Sequence, residues 1–511
     1  MINRQNYGTK TGFGDLFSRL IAGIISNRPQ VRRRGELMKI IGRDREKDLL
    51  KRCVESKRPE FVAVYGRRRV GKTYLIKEYF NKQFSFYATG LTDEKKEGQL
   101  KAFNQSLVEY GSNEENVPKD WFEAFMRLKK LLLRENIYRE PSNGKIVVFL
   151  DELPWMDTQK SDFKSALDYF WNSWGSTKDD LVLIICGSAT SWIIKNILLN
   201  RKGFHNRVTR RIQLMPFSLR ECEQLLEYNE VIMPRDQLME CYMIFGGIPF
   251  YLNLLDSRLS LVQNVDELIF KPYGELHSEY DNLFYSLFKK PEKHLAIIRT
   301  LSASKTGKTR KELTQIEEIG GGSMLTKNLM ELEQCGFIRR YLDDTRVDKN
   351  SYYQLIDPFT LFSLKFVVGR KTISWADFFK THGYFSWRGN AFEILCFNHV
   401  PQIKYKLGIS GVSTSEYGFR LFDDEAGAQI DLCLDRKDGI INICEDKFTN
   451  DPYEVDADEY AKIQHRAELF RKKTKTRKGI HLSLITANGL KNGKYSGIFQ
   501  HVVTGNDLFE V

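Results

Sequence analysis

The chain has 511 residues with a formal net charge of +12, 42% hydrophobic and 28% charged residues, and 34 phenylalanines. That composition excludes a disordered polar chain, and at about 150 residues per domain the length excludes a single hydrophobic core and predicts roughly three units. The basic balance suits a polyanionic partner such as nucleic acid, although charge spread over the whole chain serves solubility equally well.

Positions 1–35 read as a basic extension containing part of VRRRGELMK. The apolar run Leu20 to Ile25 is far shorter than the eighteen or so residues that span a bilayer, and a signal-peptide pattern is lacking. The expectation is a cytoplasmic protein with no membrane partner. Eight cysteines contain no C-x-x-C pair and several lie in apolar runs such as LVLIIC, which predicts buried free thiols.

Residues 61–80, FVAVYGRRRVGKTYLIKEYF, place a short apolar strand before Gly66-Arg67-Arg68-Arg69-Val70-Gly71-Lys72-Thr73 and a helical pattern from Tyr74 onward. This G-x-x-x-x-G-K-T run in a strand-to-helix context predicts a phosphate-binding loop for ATP. Glycines let backbone N–H groups curl around phosphate oxygens, and the next helix turns its positive end toward the anion. Lys72 is expected at the β and γ phosphates, and Thr73 at magnesium. A plain glycine turn with a solvated lysine is the bland alternative.

The run IVVFLDE (146–152) predicts a strand buried on both faces that ends in Asp151 and Glu152. Ligands of open parallel sheets sit at that edge, so Asp151 is a candidate magnesium ligand and Glu152 a candidate general base. A third strand, LVLIIC (181–186), delivers Ser188 and Thr190 to the same edge, as γ-phosphate sensors or as a helix cap. Arg207, Arg210 and Arg211 offer an arginine finger, from this chain or from a second subunit of a homo-oligomer, or are simply surface residues.

The ordered set IGRDRE (41–46), YGRRRVGKT, FLDELPWM, CGSATSWI, RVTRRIQLMPFSLRE and FGGIPFYL (245–252) resembles the archaeal-type ATPase family, a STAND-like and AAA-related branch of the P-loop ATPases. The resemblance covers roughly residues 35–285. It implies an α/β ATPase domain (36–220) followed by a helical lid (221–285), with Gly246, Gly247 and Pro249 near the nucleotide.

From about residue 291 three short helices and two β-like segments outline a winged helix (286–370). Its third helix is expected over Leu325 to Cys335, stopped by Gly336, with Met324, Leu325, Leu329 and Leu332 facing the core. Thr326, Lys327 and Asn328 then become candidates for DNA contact, unless the module is a packing spacer.

Residues 385–511 carry WRGNAFE, GAQIDL, CEDKF and VTGNDLF. Adjacent strands at 428–434 and 440–444 bring up Asp431, Glu445 and Lys447, and Glu393 on a helix completes an acidic set that suits magnesium. A surface ion pair on a strand edge is the alternative. This stretch resembles the PD-(D/E)XK nuclease-like domain attached to many archaeal-type ATPases, with Ile430 standing where the family name has proline. The combined expectation is an ATPase whose nucleotide state gates a magnesium-dependent nuclease acting on nucleic acid, DNA foremost; an ATP-driven, non-cleaving switch is the alternative.

Overall fold

The computed structural model describes residues 40–199, 206–288, 290–305, 307–342, 351–370, 374–422 and 427–510. The basic extension expected over 1–35 lies outside them.

Five uninterrupted apolar or half-apolar runs become the strands β1 (Glu60–Gly66), β2 (Phe86–Thr89), β3 (Ile146–Asp151), β4 (Leu181–Gly187) and β5 (Arg210–Leu214). They form one sheet in the order β2-β3-β4-β1-β5, and every neighbouring pair is parallel. Parallel strands need crossovers, and helices supply them. In chain order these are α1 (Asp44–Glu55), α2 (Lys72–Tyr79), α3 (Lys96–Glu109), α4 (Trp121–Leu132), α5 (Phe163–Ser173) and the single turn α6 (Thr190–Ile193). Alternate strand residues, among them Phe61, Ala63, Val148, Leu150, Leu183 and Ile185, pack against Phe103, Trp121, Phe125 and Phe163 of α3 to α5. Both faces of β3 and β4 are buried, as continuous apolar runs require.

The expected lid region contains α7 (Leu219–Tyr228), α8 (Arg235–Phe245) and α9 (Glu279–Leu287). A capping box at Ser218 and Glu221 starts α7, satisfying backbone donors that a helix otherwise leaves orphaned.

The middle module has α10 (Glu292–Ser302), a short β6 (Lys308–Thr309), α11 (Arg310–Thr314), α12 (Gly322–Gln334), β7 (Ile338–Leu342) and β8 (Ser351–Leu355). Its three strands form an antiparallel sheet in the order β6-β8-β7. Gly336 follows α12 with φ +77°, the left-handed stop that glycine adopts without strain. Two details differ from the sequence reading. Met324 is 51% exposed, and the buried stripe is Leu325, Asn328, Leu329 and Leu332. Asn328 therefore faces inward, leaving Thr326 and Lys327 outside; Thr326 Oγ1 accepts a 2.6 Å bond from Arg310.

Next comes α13 (Pro358–Phe366), then α14 (His382–Asn398) and α15 (Val400–Lys406). A second sheet follows, from β9 (Thr414–Phe422), β10 (Gly427–Arg436), β11 (Ile440–Lys447), β12 (Gly479–Thr486) and β13 (His501–Thr504), with α16 (Ala457–Thr474) crossing between β11 and β12. The order is β13-β12-β11-β10-β9. β9, β10 and β11 are antiparallel, whereas β11, β12 and β13 are parallel. Helix α14 lies against β11, and it also packs on α13 and on α8 of the lid region. All eight cysteines are buried. Among the described residues, no helix is long and apolar enough to cross a membrane.

Candidate functional site

β1 ends at Gly66, where the backbone passes so close to β5 that a Cβ would sit 2.2 Å from the Leu214 carbonyl oxygen. Only glycine fits there. The loop then passes Arg69 (φ +68°) and Gly71 (φ +91°) before α2 begins at Lys72. This delivers successive backbone N–H groups to a helix amino terminus, the arrangement that binds phosphate.

Lys72 is buried, and its ammonium donates to the carbonyls of Gly66 (3.0 Å) and Arg67 (2.8 Å). Burial lowers its pKa, opposed in part by the Asp151 and Glu152 carboxylates. Thr73 Oγ1 donates to Asp151 Oδ1 at 3.1 Å, so a hydroxyl and a carboxylate from the expected magnesium pair stand side by side. Burial also raises the pKa of Asp151, while the Thr73 hydrogen bond opposes that rise. Two hard oxygens in this position suit a magnesium ion.

Glu152 takes φ +46° at the turn after β3. Its Oε2 accepts from the backbone N–H (3.2 Å) and hydroxyl (3.0 Å) of Ser188. Ser188 is thus no helix cap; Ala189 occupies the residue before α6. Because β4 lies between β1 and β3, Ser188 sits between the phosphate loop and the two acidic residues.

The three loop arginines do different things. Arg67 is buried and its guanidinium pairs with Asp357; Arg69 pairs with Glu279 at 2.6 Å and lies 4.3 Å over the Phe250 ring. Both side chains turn away into neighbouring modules, leaving their backbone to the phosphates. Arg68 is partly buried, Val70 is buried, and Tyr74 is exposed on α2. The Val70 carbonyl accepts from Arg43 (3.1 Å), whose backbone N–H bonds Glu221 (2.9 Å). The IGRDRE segment thereby ties the loop to the start of α7.

Arg207 is exposed and precedes β5, and Arg210 is level with Val62. Gly66 stands four residues further along β1, roughly 13 Å at strand rise, so Arg207 lies at the edge of the sheet away from Lys72. An arginine finger from Arg207 within the same chain does not fit this placement.

In the carboxyl-terminal sheet, strand alternation separates what sequence proximity joins. Glu445 follows Ile441 and Ile443 onto the face that packs on Leu469 and Phe470 of α16. There it is held by Lys447 (2.8 Å) and by Arg466, and Lys447 also reaches Glu459 at 3.1 Å. Asp446 points the other way, toward Cys396 on α14. Asp431 Oδ2 accepts from the Asp446 N–H at 3.3 Å. Burial raises the pKa values of Glu393, Asp431 and Asp446, and repulsion from Glu445 adds to the rise in all three. Among the described residues, no three His, Cys, Asp or Glu side chains converge to hold a metal. Glu445 is instead engaged by two cations, Lys447 and Arg466.

The sequence reading missed Asp357 and Glu279 as neighbours of the loop, because nothing local marks partners 290 or 210 residues away. Asp446 was findable, since a strand cannot turn adjacent side chains to one face.

A glycine loop between a central parallel strand and a helix, with Thr73 against Asp151, defines the nucleotide core of a P-loop ATPase. Residues 41–255 match the family of ATPase domains found predominantly in Archaea. The uncharacterized protein MJECL04 of Methanocaldococcus jannaschii is 24% identical over 335 residues, covering 63% of this chain and 68% of that protein. Among solved structures, the Walker-type ATPase PABY2304 of Pyrococcus abyssi is 18% identical with a TM-score of 0.47, over 66% of this chain and 98% of that one. The Aeropyrum pernix ORC2 protein in its ADPNP and ADP complexes is 14% identical with a TM-score of 0.40, over 65% and 95%.

Proposed function

We propose that this protein binds and hydrolyses magnesium-ATP and works as an ATP-driven switch on its carboxyl-terminal, nuclease-like domain. The observation that carries the reading is the ordered carboxyl edge of the first sheet: phosphate loop, Ser188, then Asp151 and Glu152 within reach of Lys72 and Thr73.

The loop N–H groups and Lys72 bind the β and γ phosphates, Lys72 exchanging its two carbonyl partners for phosphate oxygens. Thr73 and Asp151 would hold a magnesium ion, which supplies charge neutralisation at the phosphate oxygens. Glu152 orients the attacking water and accepts its proton, with Ser188 fixing the carboxylate. Water adds to the γ-phosphorus as the bond to the β,γ-bridging oxygen breaks, releasing ADP and phosphate. The test is steady-state phosphate release with nucleotide affinity. Lys72→Ala is expected to lose affinity and turnover together, whereas Glu152→Gln keeps affinity and loses kcat by about 100-fold or more. Equal loss of affinity in both variants would contradict these roles.

The middle module reads as a winged helix, and the net charge of +12 supports a nucleic-acid partner. Thr326 and Lys327 are its candidate contacts. The switch is favoured over cleavage by one feature, the pairing of Glu445 with both Lys447 and Arg466. Incubation of the full chain with DNA or RNA and magnesium, with and without ATP, separates the two. The switch predicts binding without cleavage; nucleotide-dependent cutting that disappears in Glu445→Ala would establish the nuclease instead.

A further inference from the structure

The ATP site does not end with the ATPase domain. Asp357 lies about a hundred residues beyond the matched segment 41–255, yet it is the acidic partner of Arg67 in the phosphate loop. The side chains of this pair are 3% and 1% exposed, and the Phe337 ring lies 4.9 Å from the guanidinium carbon. A charge buried this deeply is tolerated because its partner is present, and removing one partner leaves the other uncompensated.

Asp357 is itself fixed. Its Oδ2 accepts the Thr360 N–H at 2.9 Å, capping the amino terminus of α13, while Oδ1 meets Arg67. On the other side of the pair, the Arg67 carbonyl holds the Lys72 ammonium at 2.8 Å. The chain of contacts is therefore continuous from helix cap to carboxylate, guanidinium, loop backbone and catalytic lysine. Arg69 gives the same loop a second grip through Glu279, which also accepts the Tyr251 hydroxyl at 2.7 Å. Both grips come from beyond the matched segment 41–255, and Asp357 from much further along the chain.

We infer that Asp357 is a positioning residue of the ATP site: acting through Arg67, it sets the loop geometry that aims Lys72, so the nucleotide site is incomplete without α13. Because α13 packs against α8 and against α14, the helix bearing Glu393, the same contact gives nucleotide binding a physical hold on the carboxyl-terminal domain. The inference rests on the ATPase reading above.

The test uses the full chain and three variants. Asp357→Asn keeps the capping oxygen and removes the charge; Arg67→Met removes the partner; Phe366→Leu loosens α13 among Phe362, Trp375 and Trp387 without touching the loop. Affinity for magnesium-ATP, kcat, KM and melting temperature are measured for each, and for the Arg67→Met/Asp357→Asn double variant. The expected result is a loss of kcat/KM of at least about tenfold in Asp357→Asn, with the double variant no worse than Arg67→Met. Phe366→Leu should melt earlier yet keep kcat/KM within about twofold, and Asp357→Glu should recover part of the loss. The inference is overturned if Asp357→Asn matches wild type, if the two single losses add, or if Phe366→Leu loses as much turnover at equal destabilisation. A wild-type chain that binds no nucleotide would instead sink the ATPase reading, and this inference with it.

Discussion

The Ser188 hydroxyl holds the carboxylate of Glu152, the residue proposed as general base. Glu152 occupies a left-handed turn, a conformation a non-glycine residue keeps only when its surroundings hold it. Its carboxylate is gripped twice by Ser188, through N–H and Oγ. Ser188→Ala deletes one grip and leaves the other. The expected outcome in phosphate-release kinetics is a fall in kcat of about three- to tenfold with KM nearly unchanged. An unaltered kcat would mean that Ser188 does not position the base. At this scale the shape of the loop was legible in the sequence, because Gly66 and Gly71 act through local backbone geometry before the helix that starts at Lys72. The roles of Arg67 and Arg69 were not legible: three consecutive arginines look alike until Asp357 and Glu279 arrive from distant segments.

At the scale of elements, His399 joins the lid region to the carboxyl-terminal domain. Its Nε2 accepts the Leu219 N–H at 2.9 Å, at the start of α7, and its Nδ1 donates to the Leu395 carbonyl at 2.8 Å. Accepting at Nε2 requires the neutral ring, and burial pushes its pKa down to about 4. The unfolded imidazole, near 6.5, binds a proton that the folded one refuses. Stability from this residue is therefore complete above about pH 6.5 and is lost as pH falls toward 4, by up to about 3 kcal/mol. Melting temperatures at pH 7 and pH 5 should fall further in wild type than in His399→Gln; identical pH slopes would contradict the assignment. The elements themselves were largely readable, since β1, β3 and β4 are unbroken apolar runs before polar turns. Where the reading slipped, apolarity misled it. Met324 is more hydrophobic than Asn328, yet Asn328 holds the i+3 position of the stripe begun by Leu325, and geometry assigns burial.

For the whole molecule, nucleotide site, lid region, middle module and carboxyl-terminal domain meet through a few buried polar contacts: Arg67 with Asp357, Arg69 with Glu279, and His399 with Leu219. A change in the loop on binding ATP would act directly on two of them, which is the physical content of a switch. Long-range pairing of this kind carries no local pattern, so the contacts between distant segments were not legible in the sequence. The same holds within the carboxyl-terminal sheet, where Arg466 on α16 pairs with the Glu445 carboxylate without any local sequence signal.

The most direct measurement is phosphate release from magnesium-ATP by the purified full chain, compared with Lys72→Ala and Glu152→Gln, with nucleotide binding measured alongside. The account predicts turnover by wild type, near-background turnover by both variants, and nucleotide binding retained only by Glu152→Gln. Turnover that survives in Lys72→Ala and Glu152→Gln would contradict it.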